Sequence, residues 1–336
     1  MNPENTVSVI ITAHDRKKYL KDAINSILGQ SLKNEFQVEI IVVKNFQDPD
    51  IDAFLSSNSI KTMFTDEKSF GVKLAIGMEN ASGSFICFMD DDDMFHPEKL
   101  SRIYSLFMSD PDLAYIHNGI YTISEDSKYS SLDGIDLHES RITIYDLSIK
   151  SVISKPGKIT SSRADWYVSC ISMRKEVAER YSPQIRKIER SLDKALFMAS
   201  VDYGRKIGVL EIPLTYYRKH QSVTGIVGSV DQFLSSRVKF TDETIENLEK
   251  LSTLIKSANP NYAIFHQILI GKMLANNIIY SRGRKGSIGF SLKMLYLFFS
   301  KGCKECFYIS VILLIHFLSP NSSISMYMKI QNRGMN

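Results

Sequence analysis

The sequence predicts an α/β fold, a doubly wound sheet followed by a helical C-terminal extension. Three observations predict it. Short β-branched runs alternate with segments of helical spacing through residue 108. Two of those runs end abruptly in polar clusters, His14-Asp15-Arg16 and Asp90-Asp91-Asp92-Asp93. From about residue 229 the pattern is helical alone. Alternation of this kind specifies βαβ units, and sheets built from such units bind ligands beyond the carboxyl ends of their strands.

The elements follow in order. Val7–Thr12 (VSVIIT) reads as a strand buried on both faces. Tyr19, Leu20, Ala23, Ile24, Ile27 and Leu28 recur at helical spacing. Val38–Val43 is a second buried strand, Ile51–Leu55 a short helix, Ile60–Phe64 a third strand, Gly71–Asn80 a helix and Ser84–Met89 a fourth strand. A helix is expected near Pro97–Met108 and an extended segment over Leu113–Ile123. Residues 124–165, rich in Ser, Asp and Lys, read as a variable excursion. Trp166–Met173 is strand-like, Lys175–Arg180 and Ser191–Val201 are helical, and Lys206–Leu210 and Leu214–Arg218 form two short strands. Helices are expected around Ile245–Ile255 and over 262–280. A linker, Ser281–Gly289, then leads to two apolar stretches, Phe290–Phe299 and Phe307–Leu318. Each is shorter than the ~20 residues that span a bilayer.

The composition narrows the class. Hydrophobic side chains at 44% and charged ones at 23% are globular proportions, which exclude a disordered or collagen-like chain. A length of 336 residues suits one large α/β domain with an appendage. Cys87, Cys170, Cys303 and Cys306 are too few and too scattered for a disulfide scaffold, which points to a reducing compartment. Cys303-Lys304-Glu305-Cys306 lacks the second pair that a structural zinc site needs. The opening MNPENTVSVIITAHDR has no basic segment followed by an apolar one, so no secretory signal is expected and a cytoplasmic location is.

Four consecutive aspartates after a buried strand are the sharpest feature. Repulsion among adjacent carboxylates favours a divalent cation there, and hard oxygen ligands suit Mg²⁺ or Mn²⁺. The competing explanation is an acidic turn with Asp93 near a helix N-terminus before Pro97. No G-x-x-x-x-G-K-[ST] occurs, and no G-x-G-x-x-G follows the first strand.

VSVIITAHDR, YLKDAINSILGQS, EIIVV and SGSFICFMDDDD, followed far downstream by SLDKALFMASVDYGRKIGVLEIPLTYYRKHQSVT, resemble the family-2 glycosyltransferases of the GT-A fold. The resemblance covers about residues 5–225, and it is the succession of motifs that is specific. It implies a GT-A glycosyltransferase domain over 1–225, a Rossmann-like doubly wound mixed sheet, with a helical extension over 226–336. It also implies a metal-dependent, inverting transfer of a sugar from a nucleotide-diphospho-sugar to an acceptor hydroxyl, on a lipid-linked or cell-surface glycan.

Position by position, Asp90 and Asp92 match the family's D-x-D, which holds Mn²⁺ or Mg²⁺ and touches the donor's ribose and diphosphate. Thr12, Ala13 and His14 match the nucleotide-lining loop, and Arg16 and Asp91 are placed with them as donor-binding residues. Asp193 matches the general base. His220, in YYRKH, matches a position that helps hold the diphosphate or metal. The competing roles are a helix cap or a partner for Lys194 in the case of Asp193, and a structural histidine in the case of His220.

The chain also departs from the family pattern. Lys44-Asn45 stands where an acidic pair commonly contacts the base, leaving Asn45 as the candidate. Leu74-Ala75 replaces Arg-Asn, with Lys73 as the substitute cation near a phosphate, and Leu192 replaces the Glu that precedes the base. Trp166, the only tryptophan, is a candidate to stack on a sugar, against the commoner fate of packing. Two alternatives compete with the transferase. One is a non-catalytic nucleotide-sugar scaffold, motivated by Leu192. The other is a sugar nucleotidyltransferase, disfavoured because residues 12–16 lack a glycine.

Charge is uneven along the chain. Residues 282–336 carry eight basic side chains and one acid, Glu305, a net +7, while the preceding residues sum to −3. A basic apolar tail points to an anionic membrane surface, not to nucleic acid. Peripheral attachment at the inner face of the cell membrane is the expectation, and a solvated helical appendage is the competing one.

Overall fold

The computed structural model describes residues 5–14, 17–32, 36–129, 141–148, 153–219, 230–283 and 286–333. The chain divides into two compact units. One comprises residues 1–148 and 165–219, the other residues 149–164 and 220–336.

The first unit is built on one sheet. Its strands are β1 (Thr6–Ala13), β2 (Gln37–Lys44), β3 (Lys61–Phe64), β4 (Phe85–Asp90), β5 (Met94–Phe95), β6 (Leu113–Ile123), β7 (Ile142–Asp146), β8 (Ile171–Arg174) and β9 (Lys206–Arg218). They lie in the order β3-β2-β1-β4-β8-β6-β9-β5, with β7 also paired to β9. β1 runs parallel to β2 and β4, and β2 parallel to β3. β8 is antiparallel to both β4 and β6, and β6 is parallel to β9. The sheet is therefore mixed and mostly parallel.

Every residue of β1 is buried. That is why it reads as a continuous apolar run instead of an alternating one. Helices cover both faces. Val7, Val9 and Ile11 share a core with Ala23 and Ile27 of α1 (Leu20–Leu28) and with Ile103 and Phe107 of α4 (Lys99–Ser109). Ile10, pointing the other way, meets Gly77 of α3 (Phe70–Asn80), where a Cβ would stand 2.3 Å from the Ile10 Cγ2. The helix starts are locally encoded. Asp48 accepts the Asp50 and Ile51 amides ahead of α2 (Pro49–Ser57), which opens on a proline. Ser69 accepts the Val72 amide ahead of α3.

Three local readings change. Lys206–Leu210 and Leu214–Arg218 are one strand, β9, because the chain goes on pairing with β6 across register shifts at Asn118–Ile120, opposite Leu210–Thr215. Pro213 has no N–H to give the ladder there, and a bulge absorbs the mismatch. Trp166–Met173 is strand only from Ile171. Before it, Tyr167 adopts a left-handed φ of 55° and Val168–Cys170 form a 3-10 turn. The excursion contains β7, antiparallel to β9.

The second unit contains α5 (Gly157–Ser161), α8 (Val230–Ile255), α9 (Pro260–Tyr280), α10 (Ser287–Lys301), α11 (Lys304–Leu318) and α12 (Pro320–Arg333). Ile268, Ala275 and Ile279 of α9, Met294 and Leu297 of α10, and Ile312 and Leu313 of α11 form its core. Cys303 and Cys306 form a disulfide across the α10–α11 turn. It is a local clasp, not a scaffold. Gly157 packs so closely on Cys303 that a Cβ would stand 2.3 Å from its backbone nitrogen.

Candidate active site

The remaining helices of the first unit, α6 (Lys175–Ile185) and α7 (Leu192–Tyr203), complete the frame. The site begins at the carboxyl ends of the central strands. Register places Thr12 beside both Val43 and Asp90, and Ala13 beside Lys44. The segments that follow β1, β2 and β4 therefore leave the sheet along one edge, and His14, Asn45 and the aspartates issue from it.

Asp90, Asp92 and Asp93 converge, one carboxylate oxygen of each lying within 4.8 Å of the others. Asp93 is buried, and its pKa is pushed up to about 7, first by burial and then by the charge of Asp92. It is not at a helix N-terminus, since α4 starts only at Lys99. Three convergent carboxylates, one of them pushed toward its neutral form, are an all-oxygen donor set. That chemistry fits a hard divalent cation. Asp91 turns elsewhere. It is buried, and its Oδ2 accepts the His14 backbone N–H at 3.0 Å.

Lys73 meets the same loop. Its Nζ donates to the Ala13 carbonyl at 3.2 Å and stands 2.7 Å from the His14 Nδ1, with the Phe70 ring beneath it. The loop after β1 is thus tied from two sides, by Asp91 and by Lys73. Lys44 is buried and directed into α2, donating to the Phe46 carbonyl at 2.6 Å and pairing with Asp52 at 2.8 Å. Asn45, half-buried, follows it. Arg16 and His220 lie outside the described residues.

Arg218, the arginine of YYRKH, fastens the aspartate turn. Its backbone N–H donates to the Asp93 Oδ1 at 3.1 Å and its Nε to the Asp92 carbonyl at 2.9 Å, while the guanidinium lies 4.7 Å from the Tyr19 ring centroid. Lys99 closes the floor, fully buried. It donates to the Ser169 carbonyl at 2.5 Å and to the Thr215 hydroxyl at 3.0 Å. Burial lowers its pKa to about 8.

Asp193 opens α7. Its Oδ1 accepts the Lys194 backbone N–H at 2.8 Å, and its Oδ2 stands 3.6 Å from the Lys194 Nζ. Lys194 is also 3.6 Å from the Asp165 Oδ2 and 5.6 Å from the centroid of Trp166. The partnership with Lys194 is therefore real. The two carboxylates still differ in access, because the side chain of Asp193 is 22% exposed and that of Asp165 only 1%. Of the two, Asp193 is the one that solvent reaches. Its neighbour Ser191 has a left-handed φ of 55°, like Tyr167, and backbone strain of this kind collects at functional sites.

Titratable neighbours feel each carboxylate group. Burial raises the Tyr115 pKa, and the charges of Asp165 and Asp193 add to it. Burial raises the Cys170 thiol to about 12, with Asp93 and Asp90 adding. Burial also raises the Tyr217 pKa, followed by Tyr167 and then by Asp93, Asp92 and Asp90. Tyr167 and Tyr217 rings lie 4.7 Å apart, and Trp166 lies 5.9 Å from Tyr167. Sequence reasoning missed Asp165, Lys99 and the aromatic link from Trp166 to Tyr217. Nothing in the spacing marks them, since they meet only through the fold.

The model of the family described as Glycosyl transferase family 2 matches residues 8–182, more than half of the chain. An uncharacterized glycosyltransferase of Rickettsia felis is 31% identical over 130 residues, 38% of this chain and 21% of that protein. Another, of Nostoc sp., is 26% identical over 224 residues, 64% of this chain and 65% of that protein. The chain thus spans a fifth to just under two thirds of these relatives. Among solved structures, S. aureus TarS 1-349 in complex with UDP-GlcNAc covers 98% of this chain and 92% of its own, at 13% identity and a TM-score of 0.54. TarS 1-349 in complex with UDP covers 96% and 91%, at 13% identity and a TM-score of 0.52. At that identity the likeness is one of fold.

Proposed function

The chain belongs to glycosyl transferase family 2 and has the GT-A fold, and we propose that it is a metal-dependent, inverting glycosyltransferase. It moves a sugar from a nucleotide-diphospho-sugar to an acceptor hydroxyl. The observation that carries this reading is the convergence of Asp90, Asp92 and Asp93 at the carboxyl edge of the sheet.

The residues divide the work. Asp90, Asp92 and Asp93 would hold Mn²⁺ or Mg²⁺, and His220 is the further candidate ligand. Neutralising the departing diphosphate is the chemistry a bound cation supplies. Thr12, Ala13, His14 and Asn45 line the donor side, and Arg16 is the further candidate from the sequence. Asp91 and Lys73 act by holding the His14 loop in place. Asp193 takes the acceptor's hydroxyl proton as the new C–O bond forms on the face opposite the breaking bond. The nucleoside diphosphate leaves with the bonding pair, and the configuration inverts. The UDP and UDP-GlcNAc held by TarS support a uridine donor as the first to try. A lipid-linked or cell-surface glycan is the acceptor class we favour. The basic helical unit attaches peripherally to an anionic membrane at the cytoplasmic face.

Donor turnover measured with Mn²⁺ across nucleotide sugars and acceptors tests the reading. Asp92→Ala and Asp193→Asn should each lose activity by about 10²–10⁴-fold. Full activity in either variant sinks the mechanism. Donor binding without turnover across a broad acceptor set favours a non-catalytic scaffold, the reading that Leu192 in place of an acid would suit.

A further inference from the structure

The large apolar residues of α10 fall into two stripes. Met294 and Leu297 are buried in the core, whereas Ile288, Leu292, Tyr296 and Phe299 recur along the opposite side and stand exposed, Phe299 at 79%. α11 repeats the division. Ile309, Ile312 and Leu313 face inward, while Phe307, Leu314 and Leu318 face out, Leu318 at 76%. The stripes meet where the helices join. The Phe298 ring lies 4.9 Å from that of Phe299 and 5.1 Å from that of Phe307. A contiguous apolar face of this kind is uncommon on a soluble monomer and marks a contact surface.

Charge identifies the contact. Lys301 and Lys304 lie in the turn beside the aromatic tip. α10 has no acid, and α11 has only Glu305, which is paired with Lys272. A second copy seated on this face would bring like charges together with no acid to meet them. Among the described residues no helix is long and apolar enough to cross a membrane. Apolar side chains on one side of a short helix pair, rimmed by lysines whose stems run along apolar surface, suit a bilayer interface.

We propose that the exposed α10–α11 face is a docking surface for an anionic lipid bilayer. Leu292, Phe299 and Leu318 enter the headgroup region, and Lys301 and Lys304 meet lipid phosphates. The inference rests on the membrane reading above and assigns it a surface.

Flotation of the full chain with vesicles of phosphatidylcholine plus phosphatidylglycerol, or of phosphatidylcholine alone, tests it. Wild type should float with the anionic vesicles, less so as salt rises. Leu292→Glu and Phe299→Glu should weaken partitioning by at least about tenfold, and Lys301→Glu with Lys304→Glu by more than about fivefold, with melting temperature and donor turnover unchanged. Phe299→Ser, a milder change, keeps the test open should glutamate disturb folding. Folded variants that float like wild type overturn the assigned face while leaving membrane attachment standing. Wild type that floats with neither vesicle overturns both. A dimer in light scattering that Phe299→Glu dissociates, with no flotation, hands the face to a second copy.

Discussion

Lys194 is buried between two carboxylates of different access. Burial works against its charge, yet Asp193 and then Asp165 outweigh it and hold the pKa above the ordinary value. The cation in turn fixes where the Asp193 carboxylate sits. Lys194→Met should therefore lower kcat by about tenfold or more with little change in KM. Lys194→Arg should restore part of it. An unchanged kcat in Lys194→Met means that the lysine only fills space. His117 offers a pH-dependent readout. Burial lowers its pKa from 6.5 to about 4, outweighing the Trp166 carbonyl and Asp165. The folded state thus favours neutral imidazole, and its contribution is whole above the unfolded value and lost as pH falls toward the folded one. Wild type should lose urea resistance between about pH 7 and about pH 5, and His117→Gln should lose less over the same range. Equal losses would falsify the assignment. At this scale the sequence pointed to Asp90, Asp92 and Asp193 through their motifs. It did not point to Asp165 or Lys99, whose importance comes from burial beside another charge.

At the scale of elements, close approach sets the tolerance for change. A Cβ on Gly71 would stand 1.9 Å from the Ile188 carbonyl oxygen and 2.5 Å from that of Ile185, so the first turn of α3 lies directly against the chain that leaves α6. Backbone cannot swing aside as a side-chain tip can. Gly71→Ala should lower stability by on the order of 2–3 kcal/mol in denaturant titration. A midpoint within experimental error of wild type means that α3 re-seats freely. The elements most legible in the sequence were those with a local code, such as β1, wholly β-branched or small, and α2, opened by Asp48-Pro49. The segment before β8 has a strand-like sequence but is not strand, because Tyr167 takes a left-handed φ that no local preference of tyrosine favours. β9 reads as two strands because Pro213 looks like a terminator, whereas β9 bulges there and goes on pairing with β6.

For the whole molecule, ligand binding should report on the aspartate cluster without any knowledge of the acceptor. Three carboxylates held close destabilise the native state, and a bound cation relieves that repulsion. Mn²⁺ with UDP, at about a hundredfold above Kd, should stabilise the wild type by about 2.7 kcal/mol. In a thermal-shift panel the gain should vanish in Asp92→Ala and persist in Asp193→Asn. Stabilisation of Asp92→Ala equal to that of wild type removes the cluster from the site.

The sequence by itself determined the class of fold, because buried parallel strands and amphipathic helices are written in local periodicity. It determined the acidic run at a strand end as well, since that depends only on neighbours along the chain. Tertiary structure decided that Asp93 joins Asp90 and Asp92 while Asp91 turns to the His14 loop. It decided that Lys194 stands between Asp193 and Asp165, and that one side of α10 and α11 remains uncovered. Orientation, burial and charge pairing depend on residues far apart in the chain, and no local pattern can encode a distance that only folding creates.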